Sequence, residues 1–270
     1  MEPIPDSPGI PAAIKDTVLI APFNDADAVE SLMKAHEGEI AAVFMEPLQR
    51  LIPPQPGFLE AMRELTLAYD MLLVFDEVVT GFRMAYGGAQ AYYGVTPDVC
   101  TLGKAIGGGF PLAAIAGREE VMALFDSERT SADRFLPQFG TLSGTPVASV
   151  AGIATLNILS RPGTYERFFD TGNRLMTALA AKLDAAGFEA QVVGVAPMFD
   201  VVFAGGAMDT HRDVLRGDAK LAARLNTLLK ERGVLKSAVK YYVSTAIDDS
   251  DVAQTIAAWD SAIDQLAAER

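Results

Sequence analysis

The sequence contains few of the cysteine and histidine residues on which disulfide-rich proteins and many metal-binding proteins depend. Only one of its 270 residues is cysteine and only two are histidine. A single thiol excludes an internal disulfide framework and is typical of a reducing compartment. The two histidines, His36 and His211, lie far apart in polar contexts. We therefore interpret them as surface side chains rather than as metal ligands or a catalytic base, and expect no metal site.

Basic charge is also scarce. The 22 lysine and arginine residues stand against 35 aspartate and glutamate residues, which gives a formal net charge of −13. Nucleic acids and anionic membrane surfaces are bound through basic patches, so we expect neither as a partner. No apolar run is long enough to span a bilayer, and the first residues lack the basic and apolar regions of a signal peptide. The expected location is the cytoplasm.

Three frequent active-site motifs are missing as well. The sequence has no G-x-G-x-x-G fingerprint and no G-x-S-x-G nucleophile elbow. Gly103-Lys104-Ala105 is not a phosphate-binding loop, because alanine stands where that motif needs serine or threonine. Lys104 and the glycines near it therefore need a different explanation.

The first part of the chain contains alternating strand and helix patterns. Apolar runs predict strands and 3.6-residue spacing predicts the helices between them. The predicted strands cover residues 18–22, 40–45 and 71–75, and the predicted helices cover 24–37 and 58–69. A strand, a helix and a strand in this order predict a βαβ unit with a parallel pair, and hence an α/β fold.

A break in the pattern divides the chain. A long apolar helix is predicted from Pro146 to Leu159, and Arg161-Pro162-Gly163 follows it. Beyond the break, helices and strands alternate without a βαβ pattern. We therefore expect a first domain at residues 1–160, which includes the connecting helix, and an α+β C-terminal domain at residues 161–270.

The most informative stretch runs from residue 71 to residue 111. Its apolar run ends abruptly in Asp76, which places this carboxylate at the carboxyl end of a predicted buried strand, where open α/β sheets bind ligands. Lys104 follows 28 residues later, between Leu102 and the triple glycine 107–109. A lysine between an apolar segment and flexible glycines can act as an amine nucleophile toward a carbonyl group.

Each of these features has a simpler interpretation when it is taken alone. Asp76 could cap a loop, Lys104 could be an ordinary solvated lysine, and the glycines could form only a turn. Together they match what a pyridoxal phosphate site requires. A carboxylate keeps the pyridine nitrogen protonated, and a lysine holds the cofactor aldehyde and moves the proton.

Two segments carry a family resemblance. FDEVVTGFR, followed by TPDVCTLGKAIGGGFPLAAIAG, resembles the class III aminotransferase signature of the fold-type-I pyridoxal phosphate enzymes. The wider set YGGAQAYYGVTPD, TLGKAIGGG and FGTLSGTP is most similar to the glutamate-1-semialdehyde aminomutase branch. The resemblance extends from about residue 8 to the C-terminus.

The resemblance implies roles for five residues. Lys104 would carry the cofactor, and Asp76 would pair with its ring nitrogen. Val78 would pack on a face of the ring, a role compatible with that of a core valine. Glu46 matches a Glu-Pro pair near the cofactor. Thr141 matches a threonine that reaches the cofactor phosphate of the neighbouring subunit, although a strand-end hydroxyl bonded to backbone is the alternative.

The resemblance also implies a fold and an activity. The fold would be part of the fold-type-I large domain followed by the α+β small domain. The activity would be that of an aminotransferase or aminomutase acting on a small amino or amino-aldehyde substrate, in a homodimer with shared active sites. Two alternatives stay open: an intermolecular class III aminotransferase with another amino substrate, and a truncated, non-catalytic remnant that still dimerises.

The sequence departs from the aminomutase pattern in three places. The loop at residues 48–52 is short, and the segment at residues 237–242 has no acid where that branch has one. The family's N-terminal region, with its glycine-serine phosphate loop and its ring-stacking aromatic, has no counterpart before Pro8. The chain is thus expected to be a fragment, a product of a misplaced start or half of a split enzyme.

Overall fold

The computed structural model describes residues 3–270. Single 3₁₀ turns cover Lys104–Gly107 and Ala123–Phe125. The strands are β1 (Ala42–Met45), β2 (Leu72–Glu77), β3 (Val99–Leu102), β4 (Ala114–Gly117), β5 (Gln191–Val195), β6 (Met198–Val202) and β7 (Tyr241–Tyr242). The helices are α1 (Ala12–Lys15), α2 (Ala26–Ala35), α3 (Phe58–Ala68), α4 (Gly88–Tyr93), α5 (Glu119–Met122), α6 (Pro146–Leu159), α7 (Thr164–Ala185), α8 (His211–Val214), α9 (Ala219–Glu231) and α10 (Asp249–Ala268).

The first sheet is parallel over three of its four strands. Its order is β1-β2-β3-β4, with β1, β2 and β3 parallel and β4 antiparallel to β3. The predicted βαβ unit is confirmed as β1-α3-β2, and the α/β fold class with it. Because β2 and β3 run in the same direction, their carboxyl ends lie at one edge, where Asp76 is paired with Thr101.

Helix α3 covers this sheet because one of its faces is apolar. Gly57 precedes the helix with a φ of 85°, and Phe58, Leu59 and Met62 are buried. They share a core with side chains of β2, of which Phe75 is completely buried. A fully buried side chain of this size contributes about 1.5–3 kcal/mol, so this packing fixes the position of β2 and of the residues that follow it.

The predicted strand at residues 18–22 is wrong. The structure has no strand there, and the first sheet ends at β1. Val18, Leu19 and Ile20 are exposed by 43%, 45% and 38%. An apolar run forms a strand only when its backbone N–H and C=O groups pair with a neighbouring strand, and no described strand lies beside this stretch.

The C-terminal part is built around a second, antiparallel sheet with the order β5-β6-β7. Helices α7, α9 and α10 bury Leu179, Leu228 and Trp259 against it, each exposed by 1% or less. The indole N–H of Trp259 donates to the hydroxyl of Tyr241 in β7 at 3.0 Å. This arrangement is the predicted α+β architecture.

The two parts meet near the carboxyl edge of the first sheet. The hydroxyl of Tyr165 in α7 donates to the carbonyl oxygen of Phe82 at 3.1 Å. Met198 in β6 is buried in one cluster with Leu48 and Met84. The C-terminal part is therefore docked against the loops that follow β1 and β2. No helix within residues 3–270 is long and apolar enough to cross a membrane.

Candidate active site

Two adjacent carboxylates end strand β2, and they have opposite environments. Side chains alternate across a strand, so Asp76 and Glu77 face different sides. Glu77 is completely buried, whereas Asp76 is half-buried at the edge of the sheet. Glu77 is thus placed for a structural role, and Asp76 is placed for contact with a ligand.

Glu77 is fully occupied by hydrogen bonds. Its carboxylate accepts from the hydroxyl of Thr80 at 3.0 Å and from the backbone N–H of Ala89 at 2.6 Å. The backbone N–H and the side-chain amide of Gln90 also donate to it, at 3.1 and 3.0 Å. A buried carboxylate with this many donors fastens the loop after β2 to the start of α4. Because it adjoins Asp76, it also fixes the end of the strand that presents Asp76.

Asp76 uses only one of its two oxygens within the protein. Oδ1 accepts from the backbone N–H of Val78 at 3.0 Å and from the hydroxyl of Thr101 at 3.3 Å. Oδ2 accepts no hydrogen bond from residues 3–270. The loop-cap interpretation therefore accounts for one oxygen and leaves the other available to an external donor.

Lys104 lies two residues after the end of β3, at the sheet edge where β2 also ends. Its side chain is exposed and makes no ion pair or hydrogen bond with any other described residue. Its φ is 48°, a left-handed conformation that is uncommon for residues other than glycine. Such strain at a residue with a reactive side chain is typical of functional sites.

The glycines around Lys104 do more than form a turn. A Cβ atom on Gly103 would lie 3.3 Å from Cγ1 of Val78, so glycine permits the backbone to approach that side chain closely. Gly108 has a φ of 57°, and a Cβ atom there would lie 3.0 Å from the carbonyl oxygen of Ala151 in α6. Glycine thus brings the turn that carries Lys104 between Val78 on one side and α6 on the other.

An open cavity of about 970 Å³ lies beside this turn. Val78, Thr101, Leu102 and Thr141 are among the residues that line it. The structure thus brings Val78 and Thr141 together, with Asp76 bonded to the lining residue Thr101. Lys104 is two residues beyond Leu102 and does not itself line this cavity.

Glu46 directly follows β1. Like Asp76 and Lys104, it does not line the cavity. Its Oε2 accepts from the backbone N–H of Arg50 at 2.9 Å, which closes the short loop after β1. In the C-terminal part, the charge of Glu46 favours the charged form of Lys240.

Sequence reasoning missed Glu77 and a basic group near Glu46. Arg83 stacks on the ring of Tyr242, with 4.5 Å between its guanidinium carbon and the ring centroid, and burial lowers the pKa of Arg83. Lys240 is 9% exposed. The residues from Val239 to Val243 do not alternate between polar and apolar, so no periodic pattern marked Lys240 in advance.

The fold and the site together define an α/β protein with a free amine and a half-free carboxylate at the carboxyl edge of a parallel sheet. The chain belongs to the class III aminotransferases: the family model for aminotransferase class-III matches residues 4–263. Enzymes of this family use pyridoxal phosphate and have the fold-type-I architecture.

Solved structures support this assignment. An omega-transaminase from Sphaerobacter thermophilus is 34% identical over 97% of this chain and 60% of its own, with a TM-score of 0.90. A transaminase with pyridoxal phosphate bound is 27% identical over 97% of this chain and 61% of its own, with a TM-score of 0.88.

A glutamate-1-semialdehyde aminomutase from Pseudomonas aeruginosa PAO1 shares the fold at 24% identity, over 92% of this chain and 56% of its own, with a TM-score of 0.78. The chain spans about 60% of the length of the solved structures it matches. It therefore contains part of the family's large domain together with the small domain.

Proposed function

We propose that this chain carries the amine and the carboxylate of a pyridoxal phosphate-dependent aminotransferase, with Lys104 and Asp76 as its catalytic residues. The observation that supports this most directly is the free oxygen of Asp76 at the same sheet edge as the unpaired amine of Lys104. The residues present therefore fit the cofactor. When it is bound, pyridoxal phosphate supplies a ring that withdraws electrons from the substrate carbon.

Asp76 holds a proton at the ring nitrogen. Its Oδ1 is already fixed by Val78 and Thr101, which leaves Oδ2 to accept from a protonated ring nitrogen. The negative charge favours the protonated form of that nitrogen, because opposite charges stabilise each other. Glu77 sets the orientation of Asp76 from the buried side of the strand.

Lys104 binds the cofactor through its Nζ atom and, once released, takes a proton from the substrate's Cα and returns it. This role needs an amine that is not engaged elsewhere, and the Lys104 side chain has no partner among the described residues. The left-handed backbone and the close packing of Gly103 on Val78 restrict where the side chain can begin. The position of the Lys104 Cα atom, from which the amine extends, is therefore restricted.

Val78, Thr141 and Glu46 complete the proposed cofactor site. Val78 lines the cavity and would contact a face of the ring, while Thr141 would offer its hydroxyl to the phosphate. Glu46 would act from a greater distance, through the loop that it closes with Arg50. We keep the division into residues 1–160 and 161–270 as part of the proposal, since α6 ends at Leu159 and α7 begins at Thr164.

We also propose that the chain acts in a homodimer. Helix α6 has apolar side chains on two faces: Ala148 is buried within the chain, whereas Val150 and Ile153 are exposed by 66% and 60%. A helix that is apolar on all sides is normally covered on all sides. A second copy that covered this face would lie next to the segment that carries Thr141.

Borohydride reduction tests the cofactor assignment directly. The full chain is incubated with pyridoxal phosphate and reduced with borohydride, which makes the bond between the cofactor's aldehyde carbon and an amine permanent. We expect peptide mass mapping to place the pyridoxyl group on Lys104. Label on another lysine would contradict the assignment, and no label with no cofactor absorbance would favour a non-catalytic remnant.

The amino-donor requirement separates two candidate reactions. Intermolecular transamination is favoured by the higher identity to the omega-transaminase, 34% against 24% for the aminomutase. Conversion of glutamate 1-semialdehyde to 5-aminolevulinate stays a second candidate because of the FGTLSGTP and TLGKAIGGG segments. A mutase needs no external amino donor, so product formation without a donor would favour the second candidate.

A further inference from the structure

The loop between β2 and α4 connects the proposed catalytic edge of the first sheet with the C-terminal part. We call residues 78–87 the bridging loop. It begins at Val78, whose N–H donates to Oδ1 of Asp76 at 3.0 Å. It ends just before Ala89, whose N–H donates to the buried carboxylate of Glu77 at 2.6 Å. Both ends of the loop are therefore fastened to the last two residues of β2.

The first half of the bridging loop is a tight, hydrogen-bonded turn. The N–H of Gly81 donates to the carbonyl oxygen of Glu77 at 2.8 Å. The N–H of Arg83 donates to the carbonyl oxygen of Thr80 at 3.0 Å. A Cβ atom on Gly81 would lie 2.7 Å from the Glu77 carbonyl oxygen and 2.7 Å from Cδ2 of Leu102, so the turn packs closely on the ends of β2 and β3. A displacement in the middle of the loop is thus passed on to the end of β2.

Phe82, in the middle of the bridging loop, has a strained backbone. Its φ is 58°, in the left-handed region. A residue with a bulky side chain rarely adopts this conformation, and it persists only where the surrounding contacts hold it. Phe82 is therefore kept in place by its neighbours and not by its own conformational preference.

The C-terminal part supplies these contacts. The hydroxyl of Tyr165 donates to the carbonyl oxygen of Phe82 at 3.1 Å, and the Phe82 ring packs against the C-terminal core. The guanidinium of Arg83 lies over the ring of Tyr242. Met84 is buried in a cluster that includes side chains of β5 and β6. Three consecutive residues of the loop are thus held by the C-terminal part.

Tyr165 is a donor with a fixed position. It is the second residue of α7, and its ring meets that of Phe168 edge to face, with 5.7 Å between the centroids. Phe168 is itself buried in the C-terminal core. Burial raises the pKa of Tyr165 to about 12, so the hydroxyl keeps its proton at neutral pH. The closed core therefore sets where the Phe82 carbonyl group is held.

We propose that Tyr165 is a positioning residue: through the carbonyl group of Phe82 and the bridging loop, its hydroxyl holds the end of β2 in the geometry that the cofactor needs. In the proposed function, on which this inference rests, Val78 and Asp76 contact the cofactor ring. No hydrogen bond within residues 3–270 joins Tyr165 to either of them, so it acts through the loop. The inference gives the C-terminal part a role in catalysis that needs no contact with the cofactor.

Docking of the two parts is the simpler role for this hydrogen bond. The buried cluster of Leu48, Met84 and Met198 joins the two parts independently of the Tyr165 hydroxyl. Burial of several apolar side chains contributes more to stability than one neutral hydrogen bond. Loss of the hydroxyl alone should therefore leave the two parts docked, and the two roles can be told apart.

Tyr165→Phe removes the hydroxyl and keeps the ring. NMR of the full chain without cofactor reads the end of β2 directly. We expect the amide and methyl resonances of Val78 to move and to broaden, because the loop loses one of its constraints. The resonances of Leu73, which is completely buried near the start of β2, should stay in place. A lower melting temperature with unchanged Val78 resonances would mean docking alone and would overturn the proposal.

Tyr69→Phe is the matched control. Tyr69 is also a partly buried tyrosine that packs against a core, and its hydroxyl forms no hydrogen bond within residues 3–270. This variant should keep the Val78 resonances of the unsubstituted chain. Equal changes at Val78 in both variants would show that the effect does not come from the bond to Phe82, which also overturns the proposal.

The cofactor-loaded chain gives the second measurement. Circular dichroism in the visible absorption band of pyridoxal phosphate depends on how its ring is held. We expect Tyr165→Phe to change this signal and to weaken cofactor binding about 2- to 12-fold, the range for loss of one neutral hydrogen bond. Altered Val78 resonances with an unchanged signal and affinity would show that the loop does not position the cofactor, which overturns the proposal.

Failure of the proposed function is distinguishable from failure of this inference. If the unsubstituted chain binds no pyridoxal phosphate, the proposed function fails by itself. The Val78 resonances of the chain alone then decide the structural claim. Movement in Tyr165→Phe and none in Tyr69→Phe would still show that Tyr165 holds the end of β2, and no movement in either would overturn it.

Discussion

The two parts of the molecule differ in how completely they bury their apolar side chains. Helices α7, α9 and α10 enclose one continuous core in which Leu179, Leu228 and Ile263 are completely buried. In the first part, by contrast, Phe44 is exposed by 63% and Phe139 by 86%. The residues proposed for catalysis all belong to this more open part. The C-terminal part encloses a core of its own.

This difference separates two kinds of substitution. Substitution of a proposed catalytic residue in the first part removes a reactive side chain that is exposed or half-buried. Activity should therefore be lost while the fold persists. A change in the closed core removes packing that nothing else replaces, so stability is lost first. The following predictions test this separation, from the largest expected effect to the smallest.

Lys104→Ala should lower the transamination rate by about 10²–10⁴-fold, the range typical of removing a group that transfers protons. Alanine and lysine have a similar conformational strain energy at a φ of 48°, so the melting temperature should not change. Steady-state kinetics and thermal melting check the two parts. Lys230→Ala is the control, and an active Lys104→Ala variant would refute the role.

Leu228→Ala should lower the free energy of unfolding by about 2–5 kcal/mol, because it opens a cavity where Leu228 is completely buried. Urea unfolding measures this loss. Leu235 is 83% exposed, so Leu235→Ala should change stability by less than about 0.5 kcal/mol. Equal losses in the two variants would show that the C-terminal core is not closed.

Asp76→Asn should lower turnover by about 10- to 150-fold, as for loss of a hydrogen bond to a charged group, and should weaken cofactor binding much less. The amide can still accept from Val78 and Thr101 through its oxygen. Turnover and cofactor affinity are measured on the same preparation. Near-full activity would remove Asp76 from the catalytic residues.

Substitution of Val150 and Ile153 by serine should leave the unfolding free energy of the separate chain within about 0.5 kcal/mol, since both side chains are exposed. The same double variant should weaken the proposed dimer. Native mass measured over a dilution series reports the dissociation. An unchanged mass at all concentrations would place the dimer contact elsewhere.

The smallest effect is expected from the exposed pair of Arg224 and Glu269, whose atoms lie 2.6 and 2.8 Å apart in two hydrogen bonds. The hydrogen bond from Arg224 is the main cause that lowers the pKa of Glu269 to about 2. A depressed pKa contributes stability above the unfolded value of 4.5, and this contribution is lost as the pH falls to about 2.

Arg224→Met should therefore melt slightly below the unsubstituted chain at pH 7, and the difference should shrink between pH 4.5 and 2. Solvent screens an exposed pair, so the difference is small throughout. Thermal melts at several pH values measure it. A difference that grows toward low pH would contradict the assignment of the shift to Arg224.

The sequence predicted those features that depend on neighbours along the chain. The periodicity of α3 and the proline at the start of α6 placed both helices within a residue of their bounds. The run at residues 18–22 failed because a strand also needs a partner, which periodicity does not reveal. The catalytic roles of Asp76 and Lys104 stay a prediction, although the structure places both at one sheet edge.

Glu77 and Lys240 could not be identified in advance, because their environments are created by residues distant in the sequence. The donors to Glu77 include Gln90, 13 positions away. The charges around Lys240 come from Glu46 and Lys104, in the other part of the molecule. Tertiary contacts decide whether a charged side chain is satisfied, and a pattern of residue types does not contain them.

The hydrogen bond from the Ala89 amide to the Glu77 carboxylate makes hydrogen exchange at this amide a measure of how often the end of β2 opens. Both residues are completely buried and the bond is 2.6 Å long. The amide hydrogen can exchange with deuterium only when α4 and the loop before it detach from the end of β2. We expect a ligand that fastens Asp76 to slow this exchange by the same factor by which it reduces the detached population.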